Sequence, residues 1–395
     1  MHNQAYINKL SAFLPHAPVG NEEMEDFLGM VGGKPSRARK RILKSNGILT
    51  RHYALDPRTK QQSHTNAQLT AEAIRGLGGN GFSLSDIECL SCGTSSPDQI
   101  VPSHGVMVHG ELENPPCEVV TLSGICASGV AALKYAYLSI LSGQTSHAVA
   151  TGSELTSNIL HAKNFRSEAE AGRDTSGVPA DIAFEKDFLR WMLSDGAGAM
   201  LLQARPNDHG LSLRIDWIEQ RSYANELEPC MYAGAVKTDQ GRLIGWREFD
   251  DLEEGLRQSV FSLKQDMRLL NEKIVYATVE RGLSETLEKH HLGADEVDYF
   301  LPHYSSEYFR DRLHEGMKKI GFDISQEKWF TNLSKRGNVG SASIYLMLEE
   351  LFNTGRLREG ERLLCFVPES GRFSTAYMLL TVVAANGGEP ALETA

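Results

Sequence analysis

With 395 residues, 41% of them hydrophobic, and a formal net charge of −11, the chain can bury a large core but lacks the basic balance of a general nucleic-acid binder. No apolar run approaches the roughly 20 residues of a membrane span, and the start "MHNQAYINKLSAFLPHAP" has no basic stretch leading into an apolar one. A soluble, cytoplasmic protein is therefore expected, with neither nucleic acid nor membrane as a partner. Six cysteines scattered over this length point to reduced thiols instead of a disulfide framework.

In chain order, the first unusual stretch is "KPSRARKRILK", residues 34 to 44. Lys34, Arg37, Arg39, Lys40, Arg41 and Lys44 are basic there and no residue is acidic. Such a patch on an acidic protein is either a solvated loop or a dock for an acidic or phosphate-bearing partner. A helical pattern, "NAQLTAEAIRGLGGNG", then hands over to a strand pattern, "DIECLSCGTSS". Its Cys89 and Cys92 form a lone C-x-x-C with no second pair to complete a zinc site, so no metal or cofactor is expected. In "TLSGICASGVAALKYAYLSILSG", Cys126 stands between a glycine turn and a helix; "HAVATGSE" follows as a strand with Glu154 at its tip.

The later chain repeats this order. "LSETLEKHHLG" precedes "EVDYFLPHYSS", which matches "DIECLSCGTSS" and sets His303 opposite Gly93. Gly93 lies 33 residues before Cys126, and His303 lies 35 before Asn338. From Cys126 and from Asn338, 17 residues run to Gly143 and Gly355, small at first and then helical, and a strand follows each, "HAVATGSE" and "RLLCFVPES". Two copies of an α/β unit predict two similar halves, 1–205 carrying the cysteine and 206–395 carrying the histidine and asparagine. Their glycine- and serine-rich helix starts are expected to approach closely, bringing Cys126, His303 and Asn338 together. At a helix start the macrodipole favours thiolate, and the backbone amide can help hold an oxyanion.

"GICASGVAALKYA", "SDGAGAMLL", "LPHYSSEYF" and "KRGNVGSAS", in this order, resemble the thiolase superfamily, most of all β-ketoacyl-acyl-carrier-protein synthase III; "RILKSNGILTRHYA" extends the likeness towards the start. The resemblance implies a five-layered αβαβα thiolase fold, a homodimer, and a condensing acyltransferase acting on thioesters of acyl-carrier protein or coenzyme A. It implies that Cys126 carries the acyl group while His303 and Asn338 stabilise an enolate. The segment and "TGSELTSN" are most similar to the ketosynthase-cyclases of dialkylresorcinol and bacterial stilbene pathways, which implies joining two β-ketoacyl units and closing a ring. The alternatives are an initiating synthase using malonyl thioester, or an acyltransferase with the same cysteine. Two departures bear on the substrate: the expected glycine-rich turn reads "PESGRFSTAY", and a charged insert spans 165–188. Glu154 is either a structural glutamate or a second base near the cavity, Arg221 either an exposed strand-end residue or a substrate-orienting cation. Arg37, Arg39 and Arg41 are the expected carrier-protein contacts.

Overall fold

The strand-forming runs assemble into one nine-stranded mixed sheet in the computed structural model, which describes residues 4–170 and 184–385. The central part of the charged insert, 171–183, lies outside the described residues. In chain order the strands are β1 (Tyr6–Phe13), β2 (Cys89–Thr94), β3 (Glu118–Ser123), β4 (His147–Glu154), β5 (Gly196–Gln203), β6 (Leu211–Ser222), β7 (Tyr299–Pro302), β8 (Arg362–Pro368) and β9 (Ser374–Ala384). Across the sheet they run β7-β8-β9-β6-β1-β5-β4-β2-β3.

The repeat is visible in this order. β2 is parallel to β4, while β4–β5 and β5–β1 are antiparallel. Correspondingly β7 is parallel to β8, while β8–β9 and β9–β6 are antiparallel. Only β3, parallel to β2, has no full counterpart; at its place Trp329 makes an isolated parallel bridge to Phe300. The two strand sets meet where Tyr6 and Ile7 of β1 pair with Arg214 and Leu213 of β6.

Among the described residues seven α-helices run nine residues or more: α1 (Asn66–Arg75), α2 (His104–Leu112), α3 (Ala127–Ser142), α4 (Met267–Val275), α5 (Gly282–His290), α6 (Arg310–Lys319) and α7 (Ser343–Asn353). α1 and α2 pack on one face of the first strand set, and α5 packs on β9 of the second. α3 touches β2 and β4 on one side and β8 and β9 on the other, with α7 against β1 and β5. One apolar cluster, including Ile7, Val130, Ala148, Leu348, Leu363 and Met378, runs through this middle layer. The expected αβαβα layering is thus present.

The small residues predicted to let the central helices approach do so. Any Cβ at Gly129 or Gly152 would collide with the Ser341 carbonyl, and the buried Tyr345 hydroxyl donates to the Gly129 carbonyl at 2.8 Å. The two helix starts differ in detail. Cys126 directly caps α3, whereas Asn338 precedes a 3₁₀ turn, Gly340–Ala342, before α7 begins. Among the described residues all six cysteines are free thiols, and no helix is long and apolar enough to cross a membrane.

Candidate active site

Cys126, His303 and Asn338 line a single cavity with an apolar wall that includes Met231, Leu270, Ile274, Phe309 and Leu313. Cys126 and His303 are each set by a strand end. β3 leads through Gly124 to Cys126, whose neighbour Ser128 donates from its hydroxyl to the Ile125 carbonyl at 2.7 Å and tightens the turn. His303 follows β7, and its backbone amide donates to Phe366 of β8 at 2.8 Å, continuing the parallel ladder. Asn338 is clamped to a neighbouring segment: its amide donates to the Met192 carbonyl at 3.0 Å and its carbonyl accepts from Ser194 at 2.9 Å. The Asn338 side-chain Oδ1 accepts from the Gly340 amide at 2.9 Å. That bond fixes the carboxamide plane and leaves Nδ2 as the donor with no protein partner among the described residues.

The electrostatics of the cavity favour neutral groups. Burial lowers the His303 pKa to about 4, so the imidazole is uncharged at neutral pH and serves as a hydrogen-bond donor through one ring nitrogen. Burial also pushes the Cys126 thiol well above its ordinary value, helped by the charges of Glu369 and then Glu154. The expected helix-start thiolate is therefore corrected to a resting thiol. Burial is the main reason; Glu369 adds to it, because its Oε2 accepts from the amides of Ile125 and Ala127 at 3.0 Å each and so occupies the positive helix end itself.

Three sequence expectations are redrawn. Glu154 does not line the cavity; its carboxylate is buried and fully engaged, Oε1 accepting from the amides of Ser95 and Ser341, and Oε2 from the hydroxyls of Ser95 and Ser96. Arg221 is not among the cavity-lining residues and pairs with Glu285 of α5 at 2.9 Å, half-buried against the helix. Within the basic segment Arg39 has counter-charges, bonding Glu22 at 2.8 Å and Glu25 at 3.1 Å, while Arg37 and Arg41 are exposed. Sequence reasoning missed Glu369 and Gln265; the only signal for the former was the glutamate in "PESGRFSTAY", where a glycine-rich turn was expected.

Comparison with known proteins agrees with this geometry. Residues 117–207 match the family described as beta-ketoacyl synthase, N-terminal domain, and residues 287–379 match 3-oxoacyl-[acyl-carrier-protein] synthase III C terminal. A beta-ketoacyl-[acyl-carrier-protein] synthase III of Clostridium perfringens is 24% identical over 89% of this chain and 91% of its own. The corresponding protein of Chlorobaculum tepidum is 22% identical over 91% of this chain and 94% of its own. Among solved structures, AbyA1, a tetronic acid condensing enzyme, superposes with a TM-score of 0.71 at 19% identity over 95% of this chain and 99% of its own. OleA of Xanthomonas campestris, solved with lauric acid and lauroyl-CoA, gives 0.70 at 19% identity over 96% and 100%. With both family segments in order, relatives aligned over nine-tenths of the length and the shared thiolase fold, the chain is a ketosynthase III-like condensing enzyme.

Proposed function

We propose that this condensing enzyme joins two β-ketoacyl thioesters through an acyl-enzyme on Cys126 and closes the product to a cyclohexanedione- or resorcinol-type ring. The observation that carries the condensing chemistry is one apolar-walled cavity holding a thiol, a neutral imidazole and a carboxamide with a free N–H. Cys126 attacks the first thioester and releases the carrier thiol. His303 and Asn338 Nδ2 then donate to the carbonyl oxygen of the second thioester while the acidic C–H between its two carbonyls breaks and gives its proton to water; the resulting enolate carbon bonds the Cys126 thioester carbonyl, the carbon–sulfur bond breaks, and the freed sulfur takes a proton back from water. The ring-closing reading rests on the resemblance of the N-terminal segment and "TGSELTSN", supported by the likeness in shape to a tetronic acid condensing enzyme. An initiating synthase that decarboxylates malonyl thioester is the second reading. It is favoured by the absence of Glu154 from the cavity, because decarboxylation needs donors to the enolate oxygen and no carboxylate base.

The substrates arrive on acyl-carrier protein or coenzyme A, with the exposed part of the basic segment, Lys34, Arg37, Lys40, Arg41 and Lys44, as the docking surface. Among the described residues β3 ends the sheet with one edge unpaired, which supports a homodimer formed strand to strand, each subunit made of the copies 1–205 and 206–395. Cytoplasmic placement completes the proposal. The deciding experiment offers the enzyme either two β-ketoacyl-coenzyme A molecules or an acyl-coenzyme A with malonyl thioester, and analyses products by mass. Cyclic product from the first pair supports the ketosynthase-cyclase; linear product from malonyl thioester alone replaces it with the initiating synthase.

A further inference from the structure

We propose that Glu369 is the proton acceptor for the Cys126 thiol during acyl loading, and returns that proton to the departing carrier thiolate. The inference deepens the reading of Cys126 as the acyl carrier and rests on it. Glu369 follows β8 between Pro368 and Ser370, both of which line the cavity with Cys126. Its Oε2 accepts from both amides that flank Cys126, which sets the carboxylate against the turn that bears the sulfur, although Glu369 itself is not among the cavity-lining residues. Oε1 makes no protein hydrogen bond, and no cation pairs with the carboxylate among the described residues, although Glu369 is only 8% exposed. Gly371 leaves room beside the carboxylate, since a Cβ there would stand a tight 3.2 Å from Oε1.

An unpaired carboxylate buried beside a nucleophilic thiol is at first sight a liability, because it opposes thiolate. The liability disappears if the two groups share one proton. When the thiol proton crosses to Glu369, the pair carries one negative charge before and after, so no second charge has to be buried. The alternative acceptor, His303, would have to become a buried cation, which its desolvation opposes, whereas the same burial raises Glu369 and strengthens it as a base. In the step itself, the sulfur–hydrogen bond of Cys126 breaks towards Glu369 while the sulfur bonds the acyl carbon. The carbon–sulfur bond to the carrier then breaks, and protonated Glu369 gives the proton to the carrier sulfur. The sum is acyl transfer from one thiol to another with no net proton uptake.

The test follows loading of the full chain by rapid quench and intact-protein mass, using whichever acyl-coenzyme A of a chain-length series loads wild type fastest. Glu369→Gln keeps an acceptor for the two amides and removes the base, so loading should slow by at least about 100-fold, the usual scale for a lost acid–base group. In Glu369→Ala, added formate and acetate should restore loading, and acetate, the stronger base, should restore more at equal occupancy. A structural role would give rescue that ignores basicity. Wild-type loading in folded Glu369→Gln, or rescue that does not follow basicity, overturns the proposal; should either variant fail to fold, the other decides. Failure of wild type itself to gain acyl mass, or mass gain that persists in Cys126→Ala, instead overturns the reading of Cys126, so the two failures are distinguishable.

Discussion

Replacing Glu154 by glutamine separates a structural carboxylate from a catalytic one. Glu154 is 1% exposed, and its four donors divide by oxygen, two backbone amides on Oε1 and two hydroxyls on Oε2. A glutamine can therefore point its carbonyl at the amides and its NH₂ at the serine hydroxyls, which rotate to accept. Burial holds the Glu154 carboxyl above the ordinary carboxylate range, so in the fold the ionised form is the costly one. Glu154→Gln mimics the protonated form, and the lost charge assistance and the removed burial penalty oppose each other, giving a net change within about 1 kcal/mol. Glu154→Leu leaves both amides unpaired, at about 2–6 kcal/mol for the two. The sign with pH is definite. A raised folded value means the contribution of Glu154 is full below its unfolded value and declines as pH rises through the folded one, and Glu154→Gln abolishes that decline. Urea melts at pH 4.5 and 7 measure it, with loading and product formation assayed on the same samples; both activities should stay within about tenfold of wild type, far from the loss expected for a missing base. A stable Glu154→Gln enzyme that loads Cys126 normally yet makes at least about 100-fold less product would refute the structural role and restore Glu154 as the base.

His303→Ala and Asn338→Ala should each spare acyl loading while slowing condensation by about 100-fold or more, as read by product mass after loading. Because neutral His303 is the working form and its value lies at about 4, condensation from pre-loaded enzyme should be flat from pH 6 to 8 and fall as pH approaches that value. Arg37→Glu with Arg41→Glu should raise KM for carrier-bound substrate and flatten its salt dependence, whereas Arg39→Glu, set beside Glu22 and Glu25, should instead lower the urea midpoint. Gly129→Ala would force a methyl into the Ser341 carbonyl and to 3.1 Å from the Tyr345 ring, and should cost about 1–3 kcal/mol or more by the same melts.

Local pattern carried much of this protein. Strand runs ending in polar tips and helices ending at glycine are decided by neighbours a few residues apart, so β2, β4, α3 and their later counterparts were legible, with Gly143 and Gly355 both at positive φ. Duplication then supplied long-range information that a single copy lacks: matching strand ends imply matching places in the fold, which is why Cys126, His303 and Asn338 could be brought to one cavity on paper. What only the tertiary structure decided is where side-chain oxygens and charges find their partners. Glu154 sits at its expected strand tip, but its acceptors are filled by Ser95, Ser96 and, 187 residues away, Ser341, so proximity to Cys126 did not become access to the cavity. Arg221 and Arg39 were likewise claimed by Glu285 and by Glu22 and Glu25. Glu369 reaches the amides of Ile125 and Ala127 across more than 240 residues of chain. Spacing and periodicity constrain backbone direction, but a hydrogen bond is short and directional, so its partner is settled only when distant segments pack.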